Sequence, residues 1–198
     1  LKLYLERTRI TELYIDGKKI GRQESLCTPH IYDLNEYIGT GVHEMTICVS
    51  NVGYKTKGGH LTSPDTQTNW NGITGRIELI GYKNAHAENV MLWCDIHNKT
   101  VRVTANITGG KSGKAVISAE SFNSERSHTP EVQSFEYTNG KLDALYKMGD
   151  DCLLWSEHEP NLYKLKIDID GDVSEHIIGM REFLSLIHIS EPTRLDVI

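Results

Sequence analysis

Apolar and polar residues alternate with a period of two along most of this chain, and that spacing restricts it to β-structure. His43, Met45, Ile47 and Val49 fall on one face of an extended segment, with Glu44, Thr46, Cys48 and Ser50 on the other. The same period runs through Ile73, Gly75, Ile77 and Leu79, and through Tyr163, Leu165, Ile167 and Ile169. In an extended backbone successive side chains point to opposite faces, so every second residue lines one side of a sheet. A helix would need an apolar stripe at i, i+3, i+4 and i+7, and no segment keeps one over three turns. Asp16-Gly17, Asn139-Gly140 and Asp170-Gly171 stand between apolar runs. Each dipeptide tolerates the two positive φ angles of a tight hairpin turn. The sequence predicts an all-β protein.

Gly81 and the polar stretch Lys83-Asn-Ala-His-Ala-Glu-Asn89 end one run of strands and mark a boundary. Two domains are predicted, 1–82 and 83–183. The second has room for a seven-stranded sandwich, with strands near Val90–Ile96, Thr100–Ile107, Ala115–Ser121, Val132–Tyr137, Asp151–Leu154, Leu162–Ile169 and Glu175–Arg181. The first offers about five strands, few for a closed sandwich, and reads as truncated on its N-terminal side. Trp93, Trp155, Met45, Met91 and Met180 sit in apolar strand contexts and are expected in the cores.

Charge and cysteine usage remove several function classes. The net charge is −6 and no run of Lys or Arg exceeds two residues, so the electrostatic footprint of a nucleic-acid-binding protein is missing. No apolar stretch approaches the roughly 18 residues of a membrane-spanning helix. Cys27, Cys48, Cys94 and Cys152 form no CxxC pair, which argues against a zinc ribbon or redox motif and leaves their disulfide state open. Asp168, Asp170 and Asp172 resemble part of a calcium loop, but Gly171 comes too early and the bidentate glutamate is missing, so a hairpin turn is expected. Cys94 and His97, read as one strand without a second ligand pair, make no zinc site. No metal or cofactor is expected.

A long polar loop, Asn51 to Gly72, joins two of the strands. Loops of this length are uncommon and often functional. Its candidate substrate-binding residues are His60, Asp65, Thr66, Gln67, Asn69, Trp70 and Asn71. Amide and hydroxyl groups suit sugar hydroxyls, while an indole suits the C–H face of a pyranose. Composition equally allows a structural loop, with Trp70 closing the sandwich end and the amides bonded to backbone.

Thr66-Gln-Thr-Asn-Trp-Asn-Gly-Ile-Thr-Gly-Arg-Ile-Glu-Leu79 resembles the end of the sugar-binding domain of glycoside hydrolase family 2, which includes β-galactosidases, β-glucuronidases and β-mannosidases. Tyr14-Ile-Asp-Gly-Lys-Lys-Ile-Gly21 is similar to the family hairpin ahead of Cys27-Thr-Pro-His-Ile-Tyr-Asp-Leu34. Leu154-Trp-Ser-Glu-His-Glu-Pro-Asn-Leu-Tyr163, with Gly179-Met-Arg-Glu-Phe183, resembles the signature that closes the family's immunoglobulin-like domain. The resemblance implies a galactose-binding-like jelly-roll sandwich and then an immunoglobulin-like sandwich. It further implies a (β/α)₈ barrel carrying two catalytic glutamates for retaining hydrolysis. On that reading the parent is an exo-β-glycosidase, most like a β-galactosidase. The present residues include no catalytic group and are inactive alone. The carbohydrate substrate is held through the barrel, and there is no nucleic-acid partner. A homo-oligomeric parent and a periplasmic or extracellular setting fit the same picture. Where many members carry an acidic residue ahead of the Gly-Ile dipeptide, this sequence has Thr66, with Asp65 beside it. A competing class is a non-catalytic carbohydrate-binding or cell-surface adhesion protein built from the same two sandwiches.

Leu184-Ser-Leu-Ile-His-Ile-Ser-Glu-Pro-Thr-Arg194 resembles the in-frame translation of a sequencing-library transposon adaptor, so residues 184–198 are read as a non-native tail. Deleting 184–198 should therefore move the thermal midpoint by no more than about 1–2 °C; a fall of about ten degrees would show the tail to be native core.

Overall fold

The structure, a computed structural model, describes residues 1–53 and 71–182. Among these residues the regular structure is entirely β, in thirteen strands. The chain divides into two compact units, Leu1–Tyr82 and Lys83–Ile198.

The first unit contains β1 (Lys2–Leu5), β2 (Ile10–Ile15), β3 (Lys18–Glu24), β4 (His30–Asp33), β5 (Met45–Ser50) and β6 (Ile77–Ile80). They form two antiparallel sheets, ordered β4-β1-β6 and β3-β2-β5. Period-two spacing turns Leu3 and Leu5 toward the core, in register with Tyr32 and His30 on β4. Leu13 and Ile15 face them from the second sheet, joined by Leu34 and the half-buried Ile20, Met45, Ile47 and Ile73. Each such large apolar side chain contributes about 1.5–3 kcal/mol when fully buried.

Thr11, near the start of β2, is buried with its polar groups satisfied. Its hydroxyl lies 2.6 Å from His30 Nδ1 and 2.8 Å from the Tyr32 hydroxyl, which donates to the Thr11 carbonyl at 2.9 Å. His30 Nε2 lies 3.2 Å from the Ser25 carbonyl. A carbonyl can only accept, so Nε2 carries the ring proton and Nδ1 accepts from Thr11. Burial pushes the His30 pKa down and keeps the ring neutral.

The second unit contains β7 (His86–Asp95), β8 (Thr100–Thr108), β9 (Ser112–Ser121), β10 (Gln133–Thr138), β11 (Lys141–Lys147), β12 (Tyr163–Ile169) and β13 (Asp172–Ile178). Their order is β13-β12-β9-β10-β11-β8-β7. Between β10 and β11 only Thr138 and Lys141 are in register, so the array folds over at that hairpin. Val101, Val103, Leu142 and Tyr146 from one side meet Ile117, Tyr163, Leu165 and Ile167 from the other in a single core. This is a β-sandwich. Leu153 N–H donates to the Tyr163 hydroxyl at 2.8 Å, and that hydroxyl lies 2.8 Å from His128 Nδ1, so one buried group pins two connecting loops.

The three hairpin dipeptides behave as expected, with φ of 49° and 77° at Asp16-Gly17, 52° and 67° at Asn139-Gly140, and 52° and 85° at Asp170-Gly171. At the last, the Asp168 carboxylate accepts the Gly171 N–H at 2.8 Å.

Several local expectations are corrected. Residues 151–154 form no strand; Leu154 makes one isolated bridge to Met180, and Lys141–Lys147 supplies the strand instead. The cause lies in Gly149, whose φ of +82° breaks the extended run after Met148. The strand expected over 73–80 is regular only from Ile77, because the Thr74 and Gly75 amides bind the Arg7 and Glu6 carbonyls. Among the described residues the first unit has six strands, not about five. Cys94 lies on β7, but His97 lies beyond its end, where its N–H donates to Asp95. Met91 (55% exposed) and Trp93 (46%) lie on the outer face of β7, while Trp155 is half-buried beneath Arg181, 4.7 Å from ring centre to guanidinium carbon. Period two alone does not tell which face is inward at an edge strand. All four cysteines are free thiols.

The buried neutral His30 makes the first unit sensitive to acid. An unfolded imidazole takes up a proton near pH 6.5, whereas the folded ring resists it, so stability is full above that pH and falls as the pH drops below it. The His30 ring resonances should titrate with a midpoint below 6.5; a midpoint at or above 6.5 would contradict the buried neutral ring.

Candidate functional site

The long loop leaves β5 at Ser50 and returns to β6 through Asn71 to Arg76. Of the candidate sugar-contacting residues, Asn71 lies within the described structure, while His60, Asp65, Thr66, Gln67, Asn69 and Trp70 lie outside the described residues. Asn71 is exposed, and its side-chain carbonyl accepts a hydrogen bond from the Asn51 amide. Two amides twenty positions apart thus tie the departing and returning strands of the loop together. At the departing end the Ser50 hydroxyl accepts the Val52 N–H at 3.2 Å.

Beside the returning strand runs Glu6-Arg7-Thr8-Arg9, the link between β1 and β2. Arg7 O accepts the Thr74 N–H at 3.1 Å and Glu6 O accepts the Gly75 N–H at 3.0 Å. The Glu6 carboxylate accepts from Arg76 N at 3.1 Å and from Arg76 Nε at 3.2 Å. Arg76 also donates to the Tyr4 hydroxyl at 3.3 Å, lies 5.0 Å from the Tyr4 ring centre, and comes within 3.6 Å of Glu78. The Arg76 N–H and guanidinium hold the Glu6 carboxyl below its usual range, and Glu6 in turn raises Arg76. An ionised carboxylate engaged in this way is a clamp and cannot serve as a proton donor. Thr8 and Arg9 lie buried directly after it.

This clamp was not among the sequence candidates. Arg76 stood inside the recognised Gly-Arg-Ile stretch, but its partners Tyr4 and Glu6 are about seventy positions earlier, and no local spacing signals such a pair. The described part of the site is therefore a rigid root that fixes where the loop starts and ends.

In the second unit the stretch Leu154–Tyr163 likewise closes a loop. Trp155 N–H donates to Met180 O at 2.9 Å, Ser156 N–H to Glu159 O at 3.0 Å, and the Asn161 side chain to Leu154 O at 2.9 Å. Asn123 holds the same loop through Pro160 O at 2.7 Å and Leu162 N at 2.7 Å. The polar cavity of about 660 Å³ lined by these side chains spends its amides on backbone.

Residues 85–181 match the family profile described as glycosyl hydrolases family 2. The second unit thus carries that family's profile, over a little under half of the chain. Among curated proteins it is similar to the β-galactosidase of Clostridium acetobutylicum, with 22% identity across 86% of this chain and 19% of that protein. It is also similar to the β-galactosidase large subunit of Lactobacillus acidophilus, with 23% identity across 87% of this chain and 27% of that subunit. The chain thus spans about a fifth to a quarter of the length of these relatives. Among solved structures, a Faecalibacterium prausnitzii β-glucuronidase superposes with a TM-score of 0.67 at 14% identity, covering 91% of this chain and 34% of that one. A β-D-mannosidase from Dictyoglomus thermophilum gives 0.63 at 19% identity, covering 91% and 27%. At such identities the structural likeness speaks for the fold.

Gly75 is the tightest point of the root. A Cβ there would lie 2.7 Å from Glu6 Cβ and 2.9 Å from Glu6 O. Gly75→Ala should push β6 off β1 and destabilise the first unit by about 1–3 kcal/mol in denaturant titration, whereas an unchanged midpoint would mean that the root does not depend on this contact.

Proposed function

We propose that these residues form the non-catalytic β region of a family 2 exo-β-glycosidase that removes terminal β-linked sugars, most like a β-galactosidase. The observation that carries this reading is the family match together with two curated β-galactosidases aligned along 86% and 87% of the chain. The first unit is read as the jelly-roll sugar-binding domain and the second as the immunoglobulin-like domain. The reaction itself is assigned to a barrel outside these residues, where two glutamates about 5–5.5 Å apart would perform retaining hydrolysis. The loop rooted by Asn51, Asn71 and the Glu6–Arg76 clamp contributes by positioning sugar, through Thr66, Gln67, Asn69 and Trp70, without proton transfer. His60, Asp65 and Asn71 belong to the same proposed subsite.

The test has two parts. The 198-residue chain should hydrolyse no nitrophenyl β-glycoside above background, and turnover that survives repurification would overturn the assignment of chemistry elsewhere. In the complete enzyme the β-galactoside should be the best substrate. There Asn69→Ala and Trp70→Ala should lower kcat/KM by about 3- to 100-fold with an unchanged pH profile, because one sugar hydrogen bond is worth about 0.5–1.5 kcal/mol and an aromatic platform about 1–3 kcal/mol. Unaltered kinetics in both folded variants would make the loop structural.

A further inference from the structure

The dipeptide Asn-Gly occurs twice in the sequence, at Asn71-Gly72 and at Asn139-Gly140, and the structure holds the two pairs in opposite ways. A glycine after asparagine has no Cβ, so its backbone nitrogen can swing toward the preceding carboxamide. Whether it does so depends on what already holds that nitrogen.

Asn139-Gly140 forms the tight turn between β10 and β11, with Thr138 and Lys141 paired across it. The Gly140 N–H donates to Lys111 O at 2.9 Å, and Gly140 O accepts the Ile107 N–H at 2.8 Å. Both groups of this residue are engaged, and a Cβ on it would stand 3.1 Å from Ile107 O. Turning the Gly140 nitrogen onto the Asn139 carboxamide would break the turn.

Asn71-Gly72 is open where the other pair is closed. Asn71 is exposed, Gly72 has a φ of +82°, and nothing lies within 4 Å of where a Gly72 Cβ would be. Among the described residues no carbonyl accepts the Gly72 N–H, and the backbone of the returning chain is first held at Thr74. The Asn71 carboxamide is engaged at its oxygen alone, which accepts from the Asn51 amide. A donor on that oxygen draws electron density from Cγ and stands where negative charge collects when a nucleophile adds.

We propose that Asn71 is a site of spontaneous deamidation, assisted by Asn51, while the turn protects Asn139. Solvent base takes the Gly72 amide proton, and the nitrogen adds to Asn71 Cγ. The oxyanion that forms on Oδ1 is stabilised by the Asn51 N–H. The bond from Cγ to Nδ2 then breaks, and ammonia leaves with a proton supplied by water. Water opens the resulting cyclic imide at either carbonyl, giving aspartate or isoaspartate at position 71. The whole reaction consumes one water and releases one ammonia, and it takes the net charge from −6 to −7. An aspartate still accepts the Asn51 N–H, whereas an isoaspartate lengthens the main chain by one atom just ahead of Thr74. The inference goes beyond the proposed function and does not depend on whether the loop touches sugar.

The two Asn-Gly pairs serve as each other's control when the 198-residue chain is aged at mildly alkaline pH and its peptides are mapped by mass spectrometry, with isoaspartyl methyltransferase labelling. In the folded chain position 71 should convert at least about 10-fold faster than position 139, and in denaturant the two rates should agree within about threefold. Equal rates in the folded chain, or faster conversion at position 139, would overturn the proposal. Asn51→Asp keeps the size of the side chain but removes the N–H donor. It should slow conversion at position 71 by at least about 5-fold in the folded chain and change nothing in denaturant. Conversion at an unchanged or higher rate in that folded variant would overturn the part given to Asn51.

Discussion

Burial of alternate side chains between two facing sheets is the one interaction on which both units depend, because no helix is present among the described residues to cover an apolar face. In the second unit the pairing keeps the layer even. Ala105 lies opposite Leu142, Ala144 opposite Val103, Ala119 opposite Leu165 and Ala115 opposite Ile169. Each small residue faces a larger one on the neighbouring strand, so the inner surface has a nearly constant height and two such surfaces can close at the usual spacing of about 10 Å. Enlarging one alanine would lift a whole strand, and shrinking one leucine would leave a void, so the core tolerates volume change poorly in either direction.

Several polar groups at these cores hold partners. The Tyr146 hydroxyl donates to Glu131 O at 3.0 Å, and burial pushes its pKa up to about 12. Burial pushes Tyr163 up as well, and its hydroxyl joins the Leu153 amide to His128. In the first unit Thr11, His30 and Tyr32 do the same at the centre of the sandwich. Removing one member of such a set strands the others, which costs more than the bond itself contributed. These groups specify which strands and loops lie together, while the aliphatic residues supply most of the driving force.

The fold was legible in the sequence wherever local geometry decides it. Strand period, the Asp-Gly and Asn-Gly turns, and the resemblance to the family all depend on residues within a few positions of one another. What failed was of a different kind. Whether Met91 and Trp93 are covered depends on which strand lies at a sheet edge, and that is a property of the assembled sheet. The strand Lys141–Lys147 was hidden because its inner residues, Leu142, Ala144 and Tyr146, include a small alanine that weakens the apolar signal, although its pairing with β8 is complete. For the site, the candidate residues other than Asn71 lie outside the described residues, and the Glu6–Arg76 clamp joins positions seventy residues apart.

That clamp also fixes the point at which the chain re-enters the first unit ahead of β6. A loop anchored only through backbone bonds would inherit the fraying of two edge strands, β5 and β6, each paired on one side. Here the returning strand is fixed three ways within a few residues: by backbone bonds from Thr74 and Gly75 to the β1–β2 link, by Glu6 on Arg76, and by Arg76 on Tyr4. The exposed charges in this set contribute little as isolated surface pairs, since solvent screens them. Their value is geometric, because the Glu6 carboxylate meets a backbone N–H and a guanidinium N–H at once and so fixes the direction of the chain as well as its distance. A root of this kind can aim a side chain but has no proton to give, so it can orient a neighbouring group without taking part in proton transfer.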